Sequence, residues 1–106
     1  MPVEPITSLA QFRQLIKSPT PVVVDFWATT CENCKAIAPF YETLSSSAPP
    51  HVKFYKLDIY DQHDASEEVS IYAMPTFMVF KDGNKIQELV GAYPQKLKDM
   101  VESLSK

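Results

Sequence analysis

The sequence predicts an α/β domain of three layers, with parallel strand pairs at the centre of a mixed sheet. Three observations predict it. Apolar runs of strand length alternate with amphipathic helical patterns. The run Val22–Trp27 is apolar on both faces apart from Asp25, which marks an interior strand. A turn signal, Asp82-Gly83-Asn84, joins two further strands into a hairpin.

Taken in order, Val3 to Ile6 supplies a short first strand. Thr7 and Ser8 can cap a helix whose stripe is Leu9, Phe12, Leu15 and Ile16, and Ser18-Pro19-Thr20-Pro21 stops it. The interior strand Val22–Trp27 follows. A second helix begins at Cys31 and carries Cys34, Ile37, Ala38, Tyr41 and Leu44 on one side; Pro39 lies inside it, should kink it by removing a donor, and Ser45 to Pro50 ends it. Val52 to Asp58 reads as a second inner strand. Asp64 with Glu67 offers a capping box for a helix near Ala65 to Tyr72. Strands Thr76–Lys81 and Lys85–Val90 flank the turn. The last helix starts near Pro94 and places Leu97, Met100, Val101 and Leu104 on one face. The order is βαβαβαββα in one domain, residues 1–106, with no repeat and no linker.

Composition narrows the function. At 106 residues, with 45% hydrophobic and 22% charged residues, the chain is an ordinary globular domain. A net charge of −3 speaks against a nucleic-acid surface. No apolar run reaches the ~18 residues of a membrane span. Met1 to Ser8 has neither the cation nor the apolar stretch of a signal peptide, so the expected location is inside the cell, in the cytoplasm. There is no glycine-rich phosphate loop, nucleotide fingerprint or serine-type nucleophile elbow. His51 and His63 read as surface residues, Met78 and Met100 as core fillers, and Glu67, Glu68 and Asp99 as solvated helix faces.

The two cysteines, Cys31 and Cys34, carry the chemical signal. Cys31 lies four residues beyond a central strand, where α/β sheets gather function. On a first helical turn the two side chains share a face, with Cα atoms ~5 to 6 Å apart, a span that suits a reversible disulfide. The helix start favours negative charge, so Cys31 should be the exposed nucleophilic thiolate and Cys34 the shielded resolving thiol. Zinc would need four ligands, and only His51 and His63 could join at an unsuitable spacing. Lys35 follows the pair where haem attachment requires histidine. Two inert structural thiols are the remaining alternative, and the strand–helix context favours the redox pair.

Val24-Asp25-Phe26-Trp27-Ala28, the Cys31–Cys34 pair, Pro39, Met74-Pro75-Thr76-Phe77, Phe80-Lys81-Asp82-Gly83 and Val90-Gly91-Ala92 stand in an order and spacing that resemble the thioredoxin family along nearly the whole chain. The resemblance implies a five-stranded mixed sheet flanked by four helices. It also implies reduction of protein disulfides, no cofactor beyond the dithiol, and electrons from NADPH through a thioredoxin reductase. Asp25 would then pass a proton, through water, to or from Cys34, and Lys56 would pair with Asp25. Pro75 would be a cis-proline facing the cysteines, Met74 would offer its backbone to an incoming peptide, and Gly91 would keep the groove open. Trp27 would pack beneath the site. The partners implied are the reductase and disulfide-containing proteins.

The chain departs from the family at its centre. Thioredoxins typically carry Trp-Cys-Gly-Pro-Cys where this chain has Thr30-Cys31-Glu32-Asn33-Cys34. Thr30 removes a flat apolar contact for partners, and Asn33 frees an amide that proline would lack. Glu32 opposes a second negative charge beside it and should raise the Cys31 pKa, with Lys35 offsetting part of the effect. The altered dipeptide leaves two alternatives open. One is a shifted potential with work beside glutathione or as an oxidant or isomerase; the other is a peptide-docking adaptor without turnover.

Overall fold

The computed structural model describes residues 3–105; Met1, Pro2 and Lys106, the ends of the expected start segment and of the expected 1–106 domain, lie outside the described residues. Five strands and four helices alternate as β1 (Val3–Pro5), α1 (Leu9–Leu15), β2 (Val22–Trp27), α2 (Glu32–Ser47), β3 (Lys53–Asp58), α3 (His63–Glu68), β4 (Thr76–Lys81), β5 (Asn84–Val90) and α4 (Pro94–Glu102), with a 3₁₀ turn at Ser103–Ser105. The strands form one sheet in the order β1-β3-β2-β4-β5. β3 runs parallel to β1 and β2, while β4 is antiparallel to β2 and β5, so the sheet is mixed as expected.

Strand alternation divides the core into two. Val22, Val24 and Phe26 face one side with Met78 and Phe80, where α1 and α3 cover them through Phe12 and Ala65. Phe12 stands edge-on to Phe26 and Phe80, with ring centroids 6.3 and 5.8 Å away. Val23, Phe77 and Val79 face the other side, against Ile37, Tyr41 and Leu44 of α2 and Leu97, Met100 and Val101 of α4. The central strand is therefore covered on both faces, which is why it reads as nearly continuous apolar sequence.

Element ends follow local chemistry. Ser8 caps α1 by accepting from the Gln11 amide at 3.0 Å. α2 ends inside the expected Ser45–Pro50 stretch, where Ser45, Ser46 and Ser47 turn their hydroxyls back onto helix carbonyls. It stops at Ala48, which the following Pro49 keeps extended. The hairpin needs two turn residues rather than three. Asp82 and Gly83 both have positive φ, 54° and 83°, the pattern of a type I′ turn, and Asn84 already pairs with Lys81.

The expectation for α3 requires correction. The helix spans His63–Glu68, its N-cap is Gln62 with no side-chain cap, and the proposed Asp64–Glu67 box does not form. Backbone bonding starts the helix earlier, through Gln62 N–H to Asp58 O at 2.8 Å, so Asp64 falls inside the first turn. Ser70 at φ 56° ends it before Tyr72.

Candidate active site

β2 delivers the chain to the mouth of α2, and Cys31 is the N-cap residue of that helix. Its backbone is extended (φ −94°, ψ 106°), and its Sγ accepts the Cys34 amide at 3.1 Å, so the sulfur takes the place usually filled by a serine or aspartate oxygen. Cys34 lies one turn in. The two form a disulfide with Cα atoms 5.3 Å apart, within the separation anticipated from the sequence. Cys31 is half-buried and Cys34 is only 2% exposed, the asymmetry that attack and resolution require.

Asp25 is buried in the middle of β2, 4% exposed, and its Oδ1 has no hydrogen-bond partner. Burial pushes its pKa up to about 7, and the Lys56 ammonium opposes part of that rise. The lysine does not reach the carboxylate as a contact ion pair. Lys56 is the β3 neighbour of Asp25 in register, but its Nζ stands 5.6 Å from the centre of the Trp27 ring, so it acts on Asp25 through space. A cavity of about 100 Å³ joins Asp25, Trp27, Cys34, Lys35, Ala38 and Lys56. A larger hollow beside Glu4, Lys53, Phe54 and Tyr55 brings no thiol with it.

Below Asp25, Tyr41 is fully buried, and its hydroxyl donates to Tyr55 O at 2.8 Å and also lies 3.2 Å from Val23 O. The chain pattern marked Tyr41 only as an apolar face residue. A buried phenol in an otherwise apolar stripe is a signal that it must find a carbonyl.

The start of β4 lies beside the end of β2, with Thr76 opposite Phe26. Met74–Pro75 is a cis peptide bond. The Gly91 N–H donates to Pro75 O at 2.8 Å, which ties the segment after β5 to the one before β4. Gly91 has φ 109°, a conformation that favours glycine, and a methyl at this position would collide with the Tyr93 ring. The backbone conformation is the reason for glycine here, and a side chain would in addition have to displace the exposed Tyr93 ring. The sequence-based expectation invoked only an open groove.

Thr30 and Glu32 are exposed beside Cys31, with exposed Asn33 between Glu32 and Cys34. Glu32 Oε2 lies 3.4 Å from Lys35 Nζ, so the acid that distinguishes this active site is partnered by the lysine after it. Pro39 lies within unbroken α2. Its missing N–H leaves the Lys35 carbonyl without its usual helical donor. Among the described residues, no three His, Cys, Asp or Glu side chains gather as a metal site, and no helix is long and apolar enough to cross a membrane.

Comparison with known proteins agrees with this arrangement. The family model described as Thioredoxin matches residues 3–103. A thioredoxin of Malassezia sympodialis is 48% identical over 96 residues, covering 90% of this chain and 91% of its own. One of Coprinus comatus is 44% identical over 101 residues, covering 94% and 95%. The crystal structure of the Malassezia protein superposes with a TM-score of 0.93, covering 100% of this chain and 96% of the other at 44% identity.

Proposed function

The chain belongs to the thioredoxin family and is a thioredoxin-type protein disulfide oxidoreductase; from that premise we propose how its own residues carry the exchange. In the reduced protein the Cys31 thiolate attacks one sulfur of a target disulfide. A mixed disulfide forms and the first target thiolate leaves. Asp25, as carboxylate, accepts the Cys34 proton through water in the adjoining cavity, whose size admits water and whose walls carry polar groups. The Cys34 thiolate then attacks Cys31 Sγ, the second target sulfur leaves as a thiolate that can take up the proton held by Asp25, and the protein is left with the Cys31–Cys34 disulfide. Two electrons pass to the target. The observation that carries this reading is the disulfide at the first turn of α2 beside a buried, unpartnered carboxylate.

The remaining residues have supporting roles. Lys56 moderates the Asp25 charge, and Trp27 walls the cavity while holding the lysine. Met74 and Pro75 receive the target as a short added strand, with Gly91 bonded behind them. Thr30, Glu32 and Asn33 meet the target on the cysteine side, and Pro39 shapes α2. Electrons come from NADPH through a thioredoxin reductase, and the targets are disulfide-containing proteins. A compartment that keeps thiols reduced, the cytoplasm, is the setting.

The test is the equilibrium potential of the pair in a thiol buffer, read by alkylation mass shift, together with a Cys34→Ser variant. A strongly reducing potential and covalent trapping of targets by the variant support an electron donor. A distinctly more oxidising potential transfers the role to glutathione-coupled or oxidase and isomerase work. Absence of a two-electron transition would overturn the assignment of the dithiol.

A further inference from the structure

Tyr93 connects β5 to α4 and has no part in the exchange described above. It is a large aromatic residue left 53% exposed. Its ring packs directly on Gly91, whose N–H is bonded to Pro75 O at 2.8 Å. On another side the Lys96 ammonium stands 4.9 Å from the ring centre, within cation–π range. The ring is therefore held between a glycine and a lysine, one hydrogen-bonded step from the cis-proline edge. The position before Cys31, where the family carries a flat tryptophan, holds only Thr30 here.

We propose that Tyr93 is a specificity-determining residue: its ring is the apolar wall that receives the target side chain next to the attacked cysteine. Disulfides flanked by an apolar residue are then the preferred substrates. This rests on the reading that targets lie along Met74–Pro75. A peptide added there as a strand sends alternate side chains to opposite faces, and those on the Gly91 side meet the ring. An aliphatic side chain gains by leaving water against it. A serine gains little, and a cationic side chain meets the charge of Lys96.

The experiment uses chemically reduced protein and two disulfide peptides that differ only in leucine or serine beside the attacked cysteine. Single-turnover rates are measured for the wild type, Tyr93→Ser and Tyr93→Phe. The leucine-to-serine rate ratio cancels any general change in thiol reactivity. The wild type is expected to favour leucine about five-fold, the scale of one aromatic contact. Tyr93→Ser should bring the ratio close to one, and Tyr93→Phe should keep it. Equal wild-type rates for the two peptides, or a ratio unchanged in Tyr93→Ser, would overturn the role of Tyr93 alone. Reduction of a small non-peptide disulfide with no reduction of either peptide would overturn the docking reading as well.

Discussion

Replacing Asp25 by asparagine should make stability less dependent on pH, in a direction fixed by the burial of the carboxyl. In the native protein Asp25 holds its proton up to about pH 7, because burial raises it from 3.8 more than the Lys56 charge lowers it. The unfolded chain releases that proton near the ordinary value. Between the two values the native state binds the more protons, so stability is lost as pH rises. The contribution is fully present below about 3.8 and gone above about 7. Each pH unit of that interval corresponds to about 1.4 kcal/mol, which makes the whole loss about 4 kcal/mol. Asparagine keeps the size and a buried polar group but has no proton to lose. The stability of Asp25→Asn relative to the wild type should therefore climb by about 4 kcal/mol between roughly pH 4 and pH 9. Urea unfolding of both oxidised proteins across that range measures it, as a relative midpoint change on the order of 2 M. A difference between the two proteins that stays flat with pH would refute the reasoning.

Three further outcomes follow from other contacts. Glu32→Gly with Asn33→Pro should lower the Cys31 pKa in the reduced protein, measured by thiolate absorbance, and the drop should be modest because Lys35 already offsets Glu32. No change, or a rise, would count against Glu32 as the cause. Phe12→Ala should cost about 3–5 kcal/mol in urea unfolding, since it empties the space between Phe26 and Phe80. Tyr41→Phe should cost about 1 kcal/mol by the same assay, the net worth of its hydroxyl bond to the β3 carbonyl of Tyr55.

Some of the site was legible because its signals are local. Val22–Trp27 announces a strand buried on both faces, and the two cysteines three apart at a helix start announce a shared face. Asp25 stood out as the acid in an apolar run, and its burial follows from the neighbours that surround it. What escaped depends on partners distant in sequence or on backbone conformation. The ammonium of Lys56 chose the Trp27 ring over a contact pair with Asp25, a choice made by side-chain placement across β2 and β3. The end of α3 depends on a left-handed Ser70, which no residue type there demands. Gly91 was noticed, yet its positive φ and the Tyr93 ring packed on it are visible only in the folded backbone.

The Cys34 amide that donates to Cys31 Sγ gives the reacting atom a second occupation. A thiolate is a stronger acceptor than a disulfide sulfur, so at a pH where reduced Cys31 is ionised the cap of α2 should be tighter than in the disulfide form. The helix entrance is thereby wired to the electron inventory of the protein. Hydrogen exchange at that single amide becomes a gauge of redox state, read from the backbone without any reporter added to the thiols.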